Sequence, residues 1–130
     1  MFVSRAARSV GLFGFYLAGL GAVLTVAPNA LLHLFSLPPT HEVWVRVLGV
    51  IVFNLGLYYV AGARSEAVPF FHATVATRAL VLLSCVAFVL LSWVGWTLIL
   101  VGLVDASGAV WTALALRRDT IAHGAPAQAS

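Results

Sequence analysis

Four long apolar stretches, each about long enough to cross a lipid bilayer, occupy most of this 130-residue chain. A helix needs about 20 apolar residues to cross a hydrocarbon core of about 30 Å. Proline or charged residues separate the first three stretches, and a very short connection around Trp93–Trp96 separates the last two. The predicted helices cover about residues 9–27, 43–63, 72–92 and 96–116. The predicted fold class is therefore all-α: a polytopic membrane protein whose single domain, residues 1–118, is a bundle of four transmembrane helices.

The composition excludes a soluble globule of this length. Hydrophobic residues make up 62% of the chain and charged residues 8%, whereas a soluble domain carries about 25% charged residues. The few polar side chains cannot cover a water-soluble surface, so the lipid bilayer is the expected partner of this chain. Residues 30–37, before Pro38 and Pro39, are predicted to form a short interfacial segment. Residues 119–130 are predicted to be a mobile tail.

The placement of arginine predicts the orientation of the bundle. Of the seven basic residues, five lie on one side of the membrane if the N-terminus is cytoplasmic: Arg5, Arg8, Arg64, Arg117 and Arg118. The two loops on the other side contain none. The positive-inside rule therefore predicts that both termini are cytoplasmic. The arginines form no basic stripe, so nucleic acid is not an expected partner.

Small residues recur at helix-packing spacing. Gly14 and Ala18 lie four residues apart in the first stretch, and Gly49 and Gly56 lie seven apart in the second. Such rows allow the backbones of two helices in lipid to approach closely. They predict close packing inside the bundle, with contacts in a homo-oligomer as the alternative.

Polar side chains inside the apolar stretches are the candidate functional residues, because they are costly in lipid. At a rise of about 1.5 Å per residue, Asp105 and Asn54 fall near the middle of the membrane and Arg78 in its inner half. An extended arginine can span the depth difference of about 7 Å between Arg78 and Asp105. We therefore expect an Arg78–Asp105 ion pair, with Asn54, Tyr16 and Tyr58 hydrogen-bonded around it. Such a cluster either fixes helix packing or holds a ligand, and the sequence leaves both open.

The remaining charged and metal-ligating residues indicate anchoring rather than catalysis. Glu42 and Arg46 lie four residues apart, which predicts an ion pair at the membrane interface. The four histidines are not paired at one depth across the bundle, so no haem or metal site is predicted. Cys85 lies within an apolar stretch and is expected to behave as a small apolar residue. The sequence names no cofactor.

Two stretches carry a resemblance to a known group of proteins. Residues 46–59 read RVLGVIVFNLGLYY, residues 102–112 read GLVDASGAVWT, and a Leu37–Pro38 turn precedes both. Together they resemble small, uncharacterised four-helix bacterial membrane proteins that are loosely DoxX-like. The resemblance implies a location in the bacterial inner membrane. Because some relatives are associated with quinone-linked oxidation, it also suggests a quinone as a ligand.

The function that these observations favour is the binding of an apolar ligand inside the bundle. A quinone, a sterol or an isoprenoid-like molecule would suit an apolar cavity with a few convergent polar groups. One alternative is an accessory subunit of a larger membrane complex. Others are a small proton-coupled transporter and a lipid-modifying enzyme, both with Asp105 as the titrating group. Whether the protein is an enzyme stays open.

Overall fold

The computed structural model describes residues 2–124, and this part of the chain forms five α-helices and no β-strand. The helices are α1 Arg5–Val26, α2 Pro28–Leu34, α3 Val43–Arg64, α4 Val68–Leu90 and α5 Leu98–Gly124. Four of them (α1, α3, α4 and α5) are long and apolar enough to cross a membrane. The all-α fold class with four membrane-spanning helices is therefore confirmed.

Two helices begin about four residues earlier than predicted, for reasons that lie in their first turns. Ser4 caps α1, because its side-chain oxygen accepts a hydrogen bond of 3.0 Å from the backbone N–H of Ala7. Pro69 was expected to separate two helices, but it lies in the first turn of α4. Proline is favoured there, because the first backbone N–H groups of a helix have no partner within it.

The α5 helix extends beyond its predicted end and includes residues 119–124. Six residues of the predicted mobile tail are therefore helical, while residues 125–130 lie outside the part that the structure describes. Arg117 and Arg118 were expected to end the helix at the membrane surface. They instead lie about two turns before the end of α5, whose last turn contains His123.

Carboxylates from two other segments cap the N-terminus of α1. The carboxylate of Glu66 accepts hydrogen bonds from the backbone N–H groups of Val3 and Ser4 and from the Ser4 hydroxyl, at 3.0, 2.9 and 2.6 Å. Asp119 accepts one from the backbone N–H of Ala6 at 3.0 Å. Desolvation raises the pKa of Glu66, but the hydrogen bonds from Ser4 and Val3 outweigh it and hold this pKa below its usual value.

These contacts define the two ends of the bundle. The start of α1, the α3–α4 turn and the last turns of α5 meet at one end, which we call the terminal end. At the opposite end, the loop end, the hydroxyl of Thr97 donates a hydrogen bond of 2.6 Å to the carbonyl of Phe35. The short α2 helix also lies at the loop end, where the sequence predicts an interfacial segment.

The α1 and α3 helices make the closest contact in the bundle. A methyl group added to Gly56 would lie 2.5 Å from the backbone nitrogen of Ala18 and 2.6 Å from the carbonyl oxygen of Gly14. One added to Gly21 would overlap the backbone of Phe53. Only glycine allows this approach, so these small residues serve packing inside the bundle.

The helices form an open arc rather than a closed ring. Going around the bundle, α3 packs on α1, α1 on α5, and α5 on α4, whereas α3 and α4 contact each other little. Where α3 and α4 do meet, the ring of Phe70 lies against Gly62 and 5.4 Å from the ring of Tyr59, close to the connecting turn. A cleft therefore remains between these two helices.

We expect Gly21→Ala to weaken the fold by about 1–3 kcal/mol, the usual cost of overpacking a tight contact. The added methyl group would push the backbones of α1 and α3 apart. Unfolding of the detergent-solubilised protein, followed by circular dichroism, would measure the change. Gly19→Ala is the matched control, since nothing lies within 4 Å of the added methyl group. Equal stability of the two variants would contradict the assigned contact.

Candidate functional site

Arg78 is, among residues 2–124, the one charged side chain that is buried, with 2% of its surface exposed. It lies ten residues after Val68 in a 23-residue helix, about 15 Å along the axis and close to the middle of α4. The sequence placed it in the inner half, because the predicted helix began four residues later. An arginine at this depth needs partners inside the protein.

One side of the Arg78 guanidinium is held by hydroxyl groups. Its Nη1 donates a hydrogen bond of 3.1 Å to Oγ1 of Thr112. The Thr112 hydroxyl donates to the carbonyl of Gly108 at 3.0 Å and lies 2.8 Å from Oγ of Ser9. Arg78 and these hydroxyl groups connect α4, α5 and α1 in the core of the bundle.

Aromatic rings cover the guanidinium. Its central carbon lies 3.8 Å from the ring centroid of Phe13 and 5.1 Å from that of Tyr59. Phe13 also packs against Tyr16, with 5.3 Å between their ring centroids. A desolvated cation–π contact is worth about 2 kcal/mol. The rings of Phe13 and Tyr59 thus provide part of the stabilisation that the sequence assigned to a carboxylate.

The ion pair predicted between Arg78 and Asp105 is not formed. Nη1 binds Thr112, and neither Nε nor Nη2 has a hydrogen-bond partner. Side chains lean toward the N-terminus of their own helix, and α4 and α5 run in opposite directions. Arg78 therefore leans toward Thr112 and Gly108, whereas Asp105 lies about one to two turns farther along α5, in the direction of the loop end.

Two other members of the predicted cluster face away from Arg78. Asn54 is exposed, and Tyr58 is 66% exposed. The neighbouring residue Tyr59 is 5% exposed and packs in the core instead. One position along an α-helix turns the side chain by about 100°, since a turn holds 3.6 residues. Tyr16 stays at the edge of the site, with 38% of its surface exposed.

Sequence reasoning also missed Ser9, Phe13 and Thr112, all of which contribute to the site. Ser9 and Thr112 are ordinary residues in apolar helices, and Phe13 is one of eight phenylalanines. The sequence did contain one signal for them: Ser9 and Phe13 lie four residues apart on α1 and therefore share a face of that helix. That spacing indicates a common surface but does not reveal which helix covers it.

The predicted Glu42–Arg46 ion pair is replaced by a different contact. Nη1 of Arg46 donates hydrogen bonds to the carbonyl oxygens of Thr25 and Val26, at 2.6 and 3.1 Å. These carbonyls belong to the last turn of α1, where helical carbonyls lack partners and a positive charge is favourable. Arg46 therefore caps α1 from α3.

Arg78 and Asp105 both line a cleft of about 480 Å³ enclosed by α1, α3, α4 and α5. Most of the lining is apolar and includes Leu17, Leu20, Val52, Leu55, Val81 and Val101. Along α4 the lining extends from Phe70 to Val81, a height of about 16 Å. A volume of this size lies within the range of about 300–1,000 Å³ typical of small-molecule sites.

A larger surface pocket, of about 1020 Å³, lies at the terminal end and includes Arg5, Arg8, Glu66 and Asp119. Its two carboxylates are already engaged in capping α1, and both arginines are exposed. The pocket therefore lacks a buried polar group that would select a ligand. The cleft beside Arg78 is the better candidate.

The buried Arg78 has two donors without a partner. Nε and Nη2 each expose less than 1 Å² and make no hydrogen bond. More than about nine in ten buried polar groups in proteins are paired, so two free donors on one charged side chain are unusual. Within residues 2–124, no cluster of three or more His, Cys, Asp or Glu side chains is arranged to hold a metal ion.

Comparison of the chain with protein-family models, curated proteins and solved structures finds no match. The resemblance to DoxX-like proteins therefore stays a prediction. The chemistry of the site follows from its own geometry: a buried cation, two free donors and an apolar cleft.

We expect Thr112→Val to destabilise the protein by about 1.5–3 kcal/mol, the usual worth of a hydrogen bond to a charged group. The substitution keeps the shape of the side chain but removes the acceptor for Nη1 of Arg78. Thr77→Val is the matched control, because the Thr77 hydroxyl donates only to the Thr74 carbonyl of its own helix. Detergent unfolding curves would compare them, and a loss of stability as large in Thr77→Val would refute this role of Thr112.

Proposed function

We propose that this protein binds an apolar ligand within its helix bundle, with the polar end of the ligand directed toward Arg78. The ligand classes that suit the cleft are quinones, sterols and isoprenoid-like lipids. The observation that carries the proposal is the pair of unpartnered donors on Arg78, a residue that also lines the apolar cleft.

The energetics of the bilayer support this proposal. A buried donor without an acceptor costs about 1–3 kcal/mol, and more when the group is charged. A ligand with an oxygen acceptor would remove part of this cost on binding. Its apolar portion would meanwhile replace lipid against Leu17, Leu20 and Val52 in the cleft.

The gap between α3 and α4 also favours a second function, that of an accessory subunit in a larger membrane complex. In that case an apolar helix of another subunit would cover the gap. This alternative predicts stable copurification with partner proteins, whereas the ligand proposal predicts a bound small molecule. Asp105 would have no special role in such a subunit.

We further propose that the terminal end of the bundle is cytoplasmic. Arg5, Arg8, Arg64, Arg117 and Arg118 lie in or near its helix ends, which fits the positive-inside rule. At the loop end, Arg46 is bound to the carbonyls of α1. Trp44, Trp93 and Trp96 are 71%, 70% and 68% exposed there, as expected of aromatic residues at a membrane interface.

Cysteine labelling tests this orientation. In a Cys85→Ser background, we expect Gly95→Cys to react with a membrane-impermeant maleimide in spheroplasts of a bacterial host. Ser65→Cys, in the α3–α4 turn, should react only after the membrane is permeabilised. The reverse pattern would show that the terminal end faces outward.

Native mass spectrometry of the gently solubilised protein tests the ligand proposal. We expect a lipid-like molecule to remain bound to the wild-type chain and to be lost from Ala73→Phe, whose larger side chain would fill the cleft. Ala87→Phe is the matched control, since Ala87 is exposed on the same helix. A bare chain in every sample would refute the ligand proposal, and copurifying subunits without a small molecule would favour the accessory role.

A further inference from the structure

The free donors of Arg78 lie on one side of its guanidinium group. The Nη1 nitrogen binds Thr112, and the unpartnered atoms are Nε and Nη2. In an arginine side chain, Nε–H and the adjacent N–H of Nη2 point in parallel from the same edge of the planar group. That edge is a fork with two donors, and it matches the two oxygens of a carboxylate.

The charge of Arg78 selects among the ligand classes. A quinone carbonyl or a sterol hydroxyl offers a single oxygen and leaves the positive charge without a counter-ion. A carboxylate accepts from both donors and also neutralises the charge, which is the combination that makes a buried ion tolerable. The fork of Arg78 therefore favours a carboxylate over the neutral end groups.

Within residues 2–124, no carboxylate accepts a hydrogen bond from this fork. Asp105, on α5, lines the same cleft, but Arg78 donates to Thr112 instead. Glu66 and Asp119 instead cap α1 at the terminal end. Glu66 precedes the start of α4, about 15 Å along that helix from Arg78, and Asp119 lies about 10 Å along α5 from Thr112. The remaining acidic residue, Glu42, lies next to the start of α3 at the loop end. The fork of Arg78 is therefore open to a carboxylate from outside the described chain.

The position of the fork indicates how such a counter-ion arrives. A small inorganic anion would have to leave water and pass along an apolar cleft to the middle of the membrane, which is costly. An amphiphile dissolved in the bilayer can instead enter sideways between α3 and α4, where the helices contact each other little. Its chain would then lie against the apolar lining, which includes Leu17, Val52 and Val81.

We infer that the ligand of this cleft is a lipid with a terminal carboxylate, such as a long-chain fatty acid, bound by two parallel hydrogen bonds to Nε and Nη2 of Arg78. The inference rests on the proposed function and narrows its ligand class. Because both nitrogens expose less than 1 Å² in the unliganded arrangement, binding includes a small shift of the side chains that separate the fork from the cleft. The rings of Phe13 and Tyr59 stay packed against the guanidinium.

Equilibrium binding of radiolabelled palmitic acid to the delipidated full-length protein in detergent tests the inference. Unlabelled palmitic acid, palmityl alcohol and methyl palmitate serve as competitors with the same chain. We expect the acid to bind at least about tenfold more tightly than the alcohol or the ester. A hydrogen bond to a charged group stabilises a complex enough to change the affinity by about this factor. Arg78→Gln should abolish this preference, whereas Arg64→Gln, at an exposed arginine, should keep it.

A second measurement needs no variant. Infrared spectra of palmitic acid labelled with carbon-13 at its carboxyl group should show an ionised carboxylate when the acid is bound to the wild-type protein. Equal affinity for acid and alcohol, a protonated bound acid, or a preference that persists in Arg78→Gln would each overturn the carboxylate inference. If a quinone or sterol copurifies instead, the proposed function stands without the carboxylate. If nothing binds and nothing copurifies, both fail.

Discussion

In a bilayer, a polar group that lacks a partner inside the protein costs several kcal/mol, so each such group needs a hydrogen-bond partner. This need is met most fully around α1. Glu66 and Asp119 accept hydrogen bonds from the N–H groups at and just before the first turn of α1. Arg46 binds the carbonyls of its last turn. Its Ser9 hydroxyl lies against Thr112. Because these partners come from the other spanning helices or their connections, pairing the groups of α1 also determines which helices surround it.

Arg78, the buried arginine, also needs hydrogen-bond partners, but only some of its donors have them. The Thr112 hydroxyl binds one nitrogen, two aromatic rings pack against the guanidinium, and Nε and Nη2 have no hydrogen-bond partner. A purely structural arginine would be expected to have all of its donors satisfied, since removing the charge altogether is often neutral or stabilising in a packed core. The incomplete pairing of Arg78 is thus the feature of this bundle that points most directly to an external molecule.

The fold was predictable because hydrophobicity and length alone decide which segments cross a membrane. The site was predictable only in outline. Arg78 stood out as a charge in an apolar helix, but its partners depend on the angular position of each residue around its axis. This angular position is the reason why Tyr59 is buried in the site, whereas Tyr58, the tyrosine that the sequence predicted there, is exposed. The lean of side chains toward the N-terminus of their helix likewise directs Arg78 to Thr112, although depth alone suggested a pair with Asp105. The capping of α1 by Glu66 and Asp119 was not predictable, since it joins residues about 60 to 110 positions apart in sequence.

The open arc of helices has a mechanical consequence. The α1–α3 pair and the α4–α5 pair are each closely packed, and they meet mainly along one seam between α1 and α5, which includes Ser9 and Thr112. A small rotation about that seam would widen or narrow the space between α3 and α4 while leaving the packing within each pair intact. Hinged in this way, the two closely packed pairs would accommodate molecules of different thickness between them without either pair losing its core.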